Sequence, residues 1–261
     1  APARDAYAGG AAVLLSTTST APDAWLADAS ASAYAGWSVA TLDYDNDGVD
    51  EVLVGAPQTD GFAGEVWVYD ALSLTTTLPG HDRLGLALAG DDVDGDGVDD
   101  ALVGFSGGVD VFVGAASLGS TPDATYPVSN GGDALAVGDL DNDGYADLLV
   151  GAAADSRVAV LLGGATGLTD ATPLSGPTGF GAAVAVVPDA DGDGLPDVLV
   201  GAPASASAVL VGSDSDPLVL SGPEGFGASV STAGDLNDDG TVDLAVGAPD
   251  GRGAVSIFFI D

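Results

Sequence analysis

The chain has 261 residues, 46% of them hydrophobic, a length that fits one large all-β domain or two ordinary domains. Forty acidic residues face four arginines and no lysine, and this net charge of −36 excludes the basic patches that bind nucleic acid or anionic membranes. The absence of cysteine excludes disulfides, thiolate catalysis and cysteine-ligated metals. No apolar run is long enough for a membrane-spanning helix, so we expect no membrane insertion by this segment.

The chain begins inside a repeating unit. Residues 1–9 (APARDAYAG) resemble residues 56–64 (APQTDGFAG), which follow a Val-Gly run later in the sequence. We therefore expect a partial repeat over residues 1–35, with strands at 12–15 and 23–27 that correspond to the third and fourth strands of a complete unit. This start predicts a chain that is processed or that belongs with other domains of a longer protein.

Five acidic segments recur along the rest of the chain, at spacings of 49, 47, 50 and 46 residues. Each has an acid at its ninth position, followed by an apolar run that ends in Gly. A period of this length is typical of one four-stranded propeller blade. The segments are DYDNDG from Asp43, DVDGDG from Asp92, DLDNDG from Asp139, DADGDG from Asp189 and DLNDDG from Asp235.

Short strand patterns flank each segment and are bounded by Gly, Pro and Asp. In the first unit they lie at 36–40, 52–55, 65–69 and 74–78. The sequence thus predicts an all-β protein, a β-propeller of four-stranded antiparallel blades, in one domain over 1–261. Five blades are visible. Closure of a five-bladed ring by the N-terminal strands and membership of a larger ring both stay open. The predicted repeats are 36–83, 84–131, 132–178, 179–224 and 225–261.

The acidic loops have the chemistry of calcium sites. Acids at positions 1, 3, 5 and 9 of a tight loop converge on one ion, the carbonyl at position 7 adds an oxygen, and Gly at position 6 allows the sharp turn. Calcium accepts six to eight oxygens, whereas magnesium needs a smaller octahedral shell and transition metals prefer nitrogen or sulfur. Ordinary Asp-Gly turns are the alternative, but carboxylates this close repel one another without a cation.

We therefore predict about five calcium ions, one for each loop. The fifth loop has Asn237 at position 3, which lowers its ligand charge. The predicted ligands are Asp43, Asp45, Asp47, Val49 and Glu51; Asp92, Asp94, Asp96, Val98 and Asp100; Asp139, Asp141, Asp143, Tyr145 and Asp147; Asp189, Asp191, Asp193, Leu195 and Asp197; and Asp235, Asn237, Asp239, Thr241 and Asp243.

These units resemble the FG-GAP repeat of integrin α-subunit propellers and of similar bacterial surface proteins. The Phe-Gly element stands at residues 180–181 and 226–227, and the Gly-Ala-Pro element begins at Gly55, Gly201 and Gly247. The first unit has Gly-Trp in place of Phe-Gly. The resemblance implies a seven-bladed propeller that binds calcium on one face and its ligands elsewhere.

We expect an extracellular, cell-surface or periplasmic binding or adhesion module that presents loops to a protein or glycan ligand. A structural unit of a surface layer, stalk or filament is the first alternative, because the apolar run at 257–260 favours a strand that docks. A carboxylate-dependent hydrolase is the second alternative. No catalytic or nucleotide-binding motif is visible, so we do not expect an enzyme.

Two further expectations concern individual side chains. His81 is the only histidine, and its Pro-Gly-His-Asp context indicates a surface residue without a special role. Four aromatic residues offer faces on which sugars stack, but they lie on or beside predicted strands and are expected to pack in the core. They are Trp25, Trp37, Trp67 and Tyr69.

Overall fold

A computed structural model describes residues 11–13, 24–26, 34–213 and 216–260. The chain forms two compact units, one of Ala1–Asp91 with Gly97–Pro127 and one of Asp92–Asp96 with Val128–Asp261. The prediction of a single domain over residues 1–261, with its repeat boundaries, stays a prediction.

The described part of the first unit consists of ten strands and one 3-10 turn at Thr59–Gly61. Strands β1 and β2 pair with each other, and two four-stranded antiparallel sheets follow, in the orders β3-β4-β5-β6 and β7-β8-β9-β10. The strands are β1 (Ala11–Val13), β2 (Ala24–Leu26), β3 (Val39–Leu42), β4 (Glu51–Gly55), β5 (Glu65–Asp70), β6 (Ser73–Pro79), β7 (Leu88–Asp91), β8 (Asp100–Phe105), β9 (Gly108–Phe112) and β10 (Ala124–Pro127).

The described part of the second unit forms three antiparallel sheets and two 3-10 turns, at Ala153–Asp155 and Pro203–Ser205. The sheets are β11-β12-β13 with β14 and β15 on the outer edge of β13, β16-β17-β18-β19, and β20-β21-β22. The strands are β11 (Ala134–Gly138), β12 (Asp147–Ala152), β13 (Arg157–Leu162), β14 (Thr169–Asp170), β15 (Leu174–Ser175), β16 (Ala183–Val187), β17 (Asp197–Ala202), β18 (Ser207–Val211), β19 (Leu218–Ser221), β20 (Ser229–Gly234), β21 (Asp243–Ala248) and β22 (Ala254–Phe258).

The prediction of an all-β protein built from antiparallel sheets is confirmed. The predicted first strand, however, begins too early: the strand expected at 36–40 is observed at Val39–Leu42, and the corresponding strand of the last sheet is Ser229–Gly234. The Phe-Gly or Gly-Trp element before them forms a turn, because Gly36 and Gly227 adopt φ angles of 80° and 93°. The N–H groups of these glycines donate to the carbonyls of Gly55 and Gly247, which close each sheet at the end away from the acidic loop.

Apolar side chains between successive sheets form the cores. In the first unit, Val66 and Val68 of β5 pack with Ala101 and Val103 of β8. In the second unit, residues of β17 and β18 pack in the same way with Leu244 and Val246 of β21. Strands with both faces buried have continuous apolar sequences, which explains the run of three apolar residues after each loop. Each such side chain contributes roughly 1.5–3 kcal/mol when fully buried.

Glycine is required where the backbones of adjacent sheets touch. A Cβ added to Gly201, at the end of the Val-Gly run, would lie 1.9 Å from the carbonyl oxygen of Gly227. At Gly151 the corresponding distance to the carbonyl oxygen of Gly181 is 2.1 Å. The Val-Gly and Phe-Gly elements of successive repeats are therefore complementary halves of one backbone contact.

We predict that Gly201→Ala lowers the free energy of unfolding by about 1–3 kcal/mol, because the added methyl group forces two sheets apart. Gly164→Ala is the matched control, since its Cβ meets no neighbouring atom closer than 4.0 Å. Denaturant titration of both variants measures the difference. Equal stability of the two variants would show that the glycine contact does not set the sheet spacing.

Candidate metal centres

The acidic loops are the hairpin turns between the first and second strands of the sheets. In the first unit the loop that starts at Asp43 joins β3 to β4, and in the second unit three loops join β11 to β12, β16 to β17 and β20 to β21. The segment Asp92–Asp96 belongs to the second unit, whereas Val98 and Asp100 belong to the first. Position 9 of each loop is the first residue of the second strand.

The hairpins bring together carboxylates that are far apart in an extended chain. In four of the loops, three acids each place one ligand oxygen within 4.8 Å of the other two. In the first, third and fourth loops the acids come from positions 1, 3 and 9, and in the second loop from positions 1, 3 and 5. The groups are Asp43, Asp45 and Glu51; Asp92, Asp94 and Asp96; Asp139, Asp141 and Asp147; and Asp189, Asp191 and Asp197.

Backbone N–H groups hold the carboxylate at position 1 in place. The Asp139 oxygens accept hydrogen bonds from Asp143 N–H at 3.1 Å and from Gly144 N–H at 2.9 Å. The same two bonds form to Asp43 and to Asp235. Gly144 has a φ angle of 93°, so the glycine at position 6 is required for the turn that directs its N–H inward.

The position-9 carboxylate is buried and links the loop to the sheet. Asp147 and Asp243 have no exposed surface, and Glu51 and Asp197 are 1% exposed. One oxygen of each accepts a hydrogen bond from the N–H at position 2, as Asp147 does from Leu140 at 2.7 Å. In the third loop the second oxygen accepts from Gly163 N–H at 2.8 Å.

Three of these buried acids have an oxygen without a hydrogen-bond partner: Oε1 of Glu51 and Oδ1 of Asp197 and Asp243. A buried carboxylate oxygen without a donor is costly, because burial removes the water that solvates its charge. A divalent cation in the loop satisfies such an oxygen and also neutralises the neighbouring carboxylates. The donor set, made of oxygens alone, therefore fits a hard divalent ion.

Burial and neighbouring negative charges raise the pKa of several loop acids. Burial, with the charge of Asp45 as the next cause, raises the pKa of Glu51 to about 7. Burial likewise raises the pKa of Asp94, Asp147 and Asp197. A cation beside Glu51 would favour the loss of its proton near neutral pH.

The position-5 acids of the first, third and fourth loops lie outside the close groups. Asp47, Asp143 and Asp193 each accept a hydrogen bond from the N–H two residues later, at Val49, Tyr145 and Leu195. The roles of these acids as ligands, and of the position-7 carbonyls, stay predictions.

The second and fifth loops differ from the others. Asp100 is buried in the first unit, where its Oδ1 accepts a hydrogen bond from Gly114 N–H at 2.8 Å. In the fifth loop, Asn237 donates to the Asp239 carboxylate at 2.6 Å, and no trio of acids in this described loop is as close as in the other four. The Asn at position 3 thus reduces both the charge and the clustering of the fifth loop.

Some residues that hydrogen-bond to the loop acids could not be predicted from the sequence. Gly114 and Gly163 follow the third strands of their sheets and supply N–H groups to position-9 acids, but nothing in the acidic segments points to them. The hydroxyl group of Ser213 donates to Asp193 and lowers the pKa of that carboxyl group.

Comparison with known protein families identifies the same repeated unit of strand, acidic loop and strand. The FG-GAP repeat model matches residues 35–69, 180–212 and 226–258, and the FG-GAP-like repeat model matches residues 92–150. Together these matches cover well over half of the chain. This chain is therefore an FG-GAP repeat protein. Each match includes an acidic loop, so the family element and the candidate metal-binding hairpin coincide. No curated protein sequence is significantly similar to the chain.

Solved structures share the fold of this FG-GAP protein. A chain in the crystal structure of BBS1N in complex with ARL6DN, soaked with mercury, has a TM-score of 0.60 and 13% identity, over 84% of this chain and 64% of that one. For the complex soaked with lead the values are 0.61 and 12%, over 92% and 69%. The chain thus spans slightly less than two thirds of the first relative. Similarity at this level of sequence identity shows the fold alone. The four-stranded antiparallel sheets are propeller blades.

We predict that the metal-free FG-GAP protein loses stability as the pH rises from about 4.5 to about 7. Glu51 has a folded-state pKa of about 7 against an ordinary value of 4.5. Its contribution is therefore fully present below the unfolded pKa and is lost as the pH rises through the folded pKa. Thermal melts in metal-free buffer across this range measure the effect. Glu51→Gln is expected to flatten the profile, and a metal-free melting temperature that rises over the range would contradict the assignment.

Proposed function

We propose that this FG-GAP protein is an extracellular, calcium-stabilised binding module that presents loops to a protein or glycan ligand. The repeated group of three acids at the hairpins carries the proposal. Two oxygens that each lie about 2.4 Å from one calcium ion are at most about 4.8 Å apart, and the acids of four loops meet this limit. Magnesium, with bonds of about 2.1 Å, would require oxygens within about 4.2 Å and a nearly ideal octahedron.

Affinity considerations support a location outside the cytoplasm. The weakest calcium loops, with dissociation constants on the order of 10⁻⁴–10⁻³ M, belong to extracellular modules, and such sites fill only where calcium is plentiful. Asp189 and Asp191 are exposed, and only Asp197 of their group is buried. No helix among the described residues is long and apolar enough to cross a membrane.

An exposed aromatic surface supports the binding role. Tyr34, Trp37 and Phe62 are 43%, 55% and 57% exposed, and the rings of Tyr34 and Trp37 meet edge to face at 6.4 Å. Trp37 precedes β3 and Phe62 lies between β4 and β5, so both are at the end of their sheet opposite the metal loop. The expectation that Trp37 packs in the core is therefore wrong, whereas Trp67 and Tyr69 are buried. The side chain of Trp25 is outside the described residues.

Backbone strain at this surface also supports a role beyond packing. Tyr34 and Phe62 have φ angles of 53° and 77°, a region that bulky side chains rarely adopt. The 3-10 turns of the second unit have Ser156 and Ala206 at the position of Phe62. A large aromatic side chain kept exposed in a strained conformation is typical of a contact residue rather than of a turn. We name Tyr34, Trp37 and Phe62 the aromatic end of the first unit.

The solved relatives favour a protein ligand. BBS1N, a chain of similar fold, is crystallised in complex with ARL6DN. Aromatic side chains are enriched at the centres of protein interfaces, and they also stack on sugar rings. We propose a binding role rather than a catalytic one, because the clustered acids are held by backbone N–H groups within the loops.

A structural unit of a surface layer, stalk or filament is the second candidate, and one observation favours it. Val255 and Ile257 of β22 are 70% and 41% exposed, whereas Val158 and Ala208, at the position of Val255 in the two preceding sheets, are fully buried between sheets. Light scattering on calcium-loaded protein separates the candidates: a monomer supports the binding module, and concentration-dependent assembly supports the structural unit.

We predict that calcium raises the melting temperature by several degrees, because ions that bind only the folded state stabilise it by mass action. The double variant Asp189→Asn with Asp191→Asn is expected to lose part of this increase, since it removes two of the three clustered acids of one loop. Asp170→Asn is the control, because Asp170 is an exposed acid outside the loops. A calcium response that is equal in both variants would argue against the loop assignment.

We predict that Trp37→Ala combined with Phe62→Ser weakens ligand binding at least tenfold and leaves the calcium response unchanged. The physical reason is the loss of two exposed rings that contribute contact area but no core packing. Leu74→Ala is the control, because Leu74 is half exposed on β6. Surface-immobilised protein screened against extracellular proteins and glycans in calcium measures the effect. Unchanged binding by the aromatic variant would place the ligand site elsewhere.

A further inference from the structure

The second acidic loop packs against the third one. The backbone N–H of Ala146, at position 8 of the third loop, donates to the carbonyl of Asp92, at position 1 of the second loop, at 3.0 Å. The N–H of Gly164, which follows β13, donates to the carbonyl of Val93 at the same distance. The segment Asp92–Asp96 accordingly belongs to the second unit, together with the third loop.

An aromatic ring and two glycines complete the contact between these loops. The N–H of Gly95 donates to Oδ1 of Asp92 at 2.6 Å, and a Cβ added to Gly95 would lie 2.3 Å from Cε1 of Tyr145. Tyr145 is at position 7 of the third loop. A Cβ added to Gly163 would lie 2.4 Å from the carbonyl oxygen of Ala146. The two loops therefore approach more closely than side chains at these positions would allow.

The close acids of the second loop all lie in the segment that contacts the third loop. They are Asp92, Asp94 and Asp96, at positions 1, 3 and 5, whereas each of the other three groups includes the buried acid at position 9. Asp100, at position 9 of the second loop, belongs to the first unit. The three candidate ligands of the second loop therefore share one short backbone segment with the hydrogen bonds to the third loop.

The same hydrogen bonds lead to a buried candidate ligand of the third loop. Ala146 directly precedes Asp147, which has no exposed surface. Gly164 directly follows Gly163, whose N–H donates to Oδ1 of Asp147 at 2.8 Å. Any interaction that fixes Asp147 therefore also fixes the two N–H groups that hold the second loop.

We propose that the second and third loops bind calcium cooperatively, and that the contact between them is the coupling element. The inference rests on the proposed role of the loops as calcium sites. A backbone segment that one ion has already ordered loses less conformational entropy when the next ion binds, and this gives positive cooperativity. Coupling of this kind changes an affinity by about 5–150-fold and acts equally in both directions.

The fourth loop shows how the coupling can be removed without removing a ligand. Its residue at position 8 is Pro196, which has no N–H to donate, and its three acids still meet the same 4.8 Å limit. Ala146→Pro therefore removes one link between the loops in a way that a similar loop tolerates. Tyr145→Val introduces the residue that the second loop has at position 7, Val98, and removes the ring contact.

Titration of ¹⁵N-labelled protein with Ca²⁺ reports the two loops separately. The N–H of Asp96 donates to Asp94 in the second loop at 3.2 Å, so its amide shift follows ion binding there. The N–H of Asp143 donates to Asp141 at the same distance and reports the third loop. Asp139→Asn with Asp141→Asn disables the third loop and leaves both links in place. We expect it to raise the calcium dissociation constant measured at Asp96 at least about fivefold.

Two further double variants test the direction and the path of the coupling. Asp92→Asn with Asp94→Asn is expected to weaken calcium binding by the third loop by the same factor, because a coupling free energy is reciprocal. Ala146→Pro with Tyr145→Val is expected to abolish the coupling while both loops still bind calcium. The first of these variants does not alter the links, so the test does not depend on whether the proline variant folds.

Asp235→Asn with Asp239→Asn, in the fifth loop between β20 and β21, is the matched control, and the affinity measured at Asp96 should not change. Equal affinities at Asp96 in the third-loop variant and in this control would overturn the coupling and leave the calcium sites in place. Loops of the unaltered protein that show no calcium-dependent shift would instead overturn the proposed function, and this inference with it.

Discussion

The acidic hairpins depend on one buried carboxylate at the start of each second strand. In the first, third, fourth and fifth loops this acid accepts a hydrogen bond from the N–H at position 2, as Asp197 does from Ala190 at 2.6 Å, and thereby closes the loop against its sheet. Burial raises the pKa of Asp197, and the charges of Asp191 and Asp193, at positions 3 and 5, add to that shift. A divalent cation would reverse the balance. We therefore propose that each hairpin folds most stably with a bound ion, which would make the ion a structural component of the blade.

We propose that an ion bound at a hairpin also constrains the rest of its sheet through the short second strand. The second strand begins at the buried acid and ends at the glycine that touches the next blade, as in Asp197–Ala202 with Gly201 against Gly227. Only three residues lie between the buried acid Asp197 and the backbone contact at Gly201. In the first unit the aromatic end lies where Gly36 N–H donates to the Gly55 carbonyl, so a cation in the loop of that sheet would constrain the framework from which the proposed ligand contacts project.

Most of the fold follows from local patterns, and the exceptions have physical reasons. The run 148–151 was sufficient to locate Asp147–Ala152, because a strand buried on both faces is continuously apolar. Strands Thr169–Asp170 and Leu174–Ser175, which pair with β13, are short and mostly exposed. Their sequences therefore have no continuous apolar run that would predict them. Loop spacing also identified the clustered acids. It could not reveal the hydrogen bonds from Ala146 and Gly164 to the second loop, since these contacts depend on segments brought together by the tertiary fold.

Calorimetric titration of metal-free protein with calcium tests the central claim most directly. We expect about five ions for each chain, with the fifth loop the weakest because Asn237 replaces an acid there. Binding should be accompanied by proton release near neutral pH, since Glu51 has a pKa of about 7 without its ion. A chain that binds no calcium, or that binds it without releasing protons, would contradict the conclusion that buried loop carboxylates are neutralised by the ion.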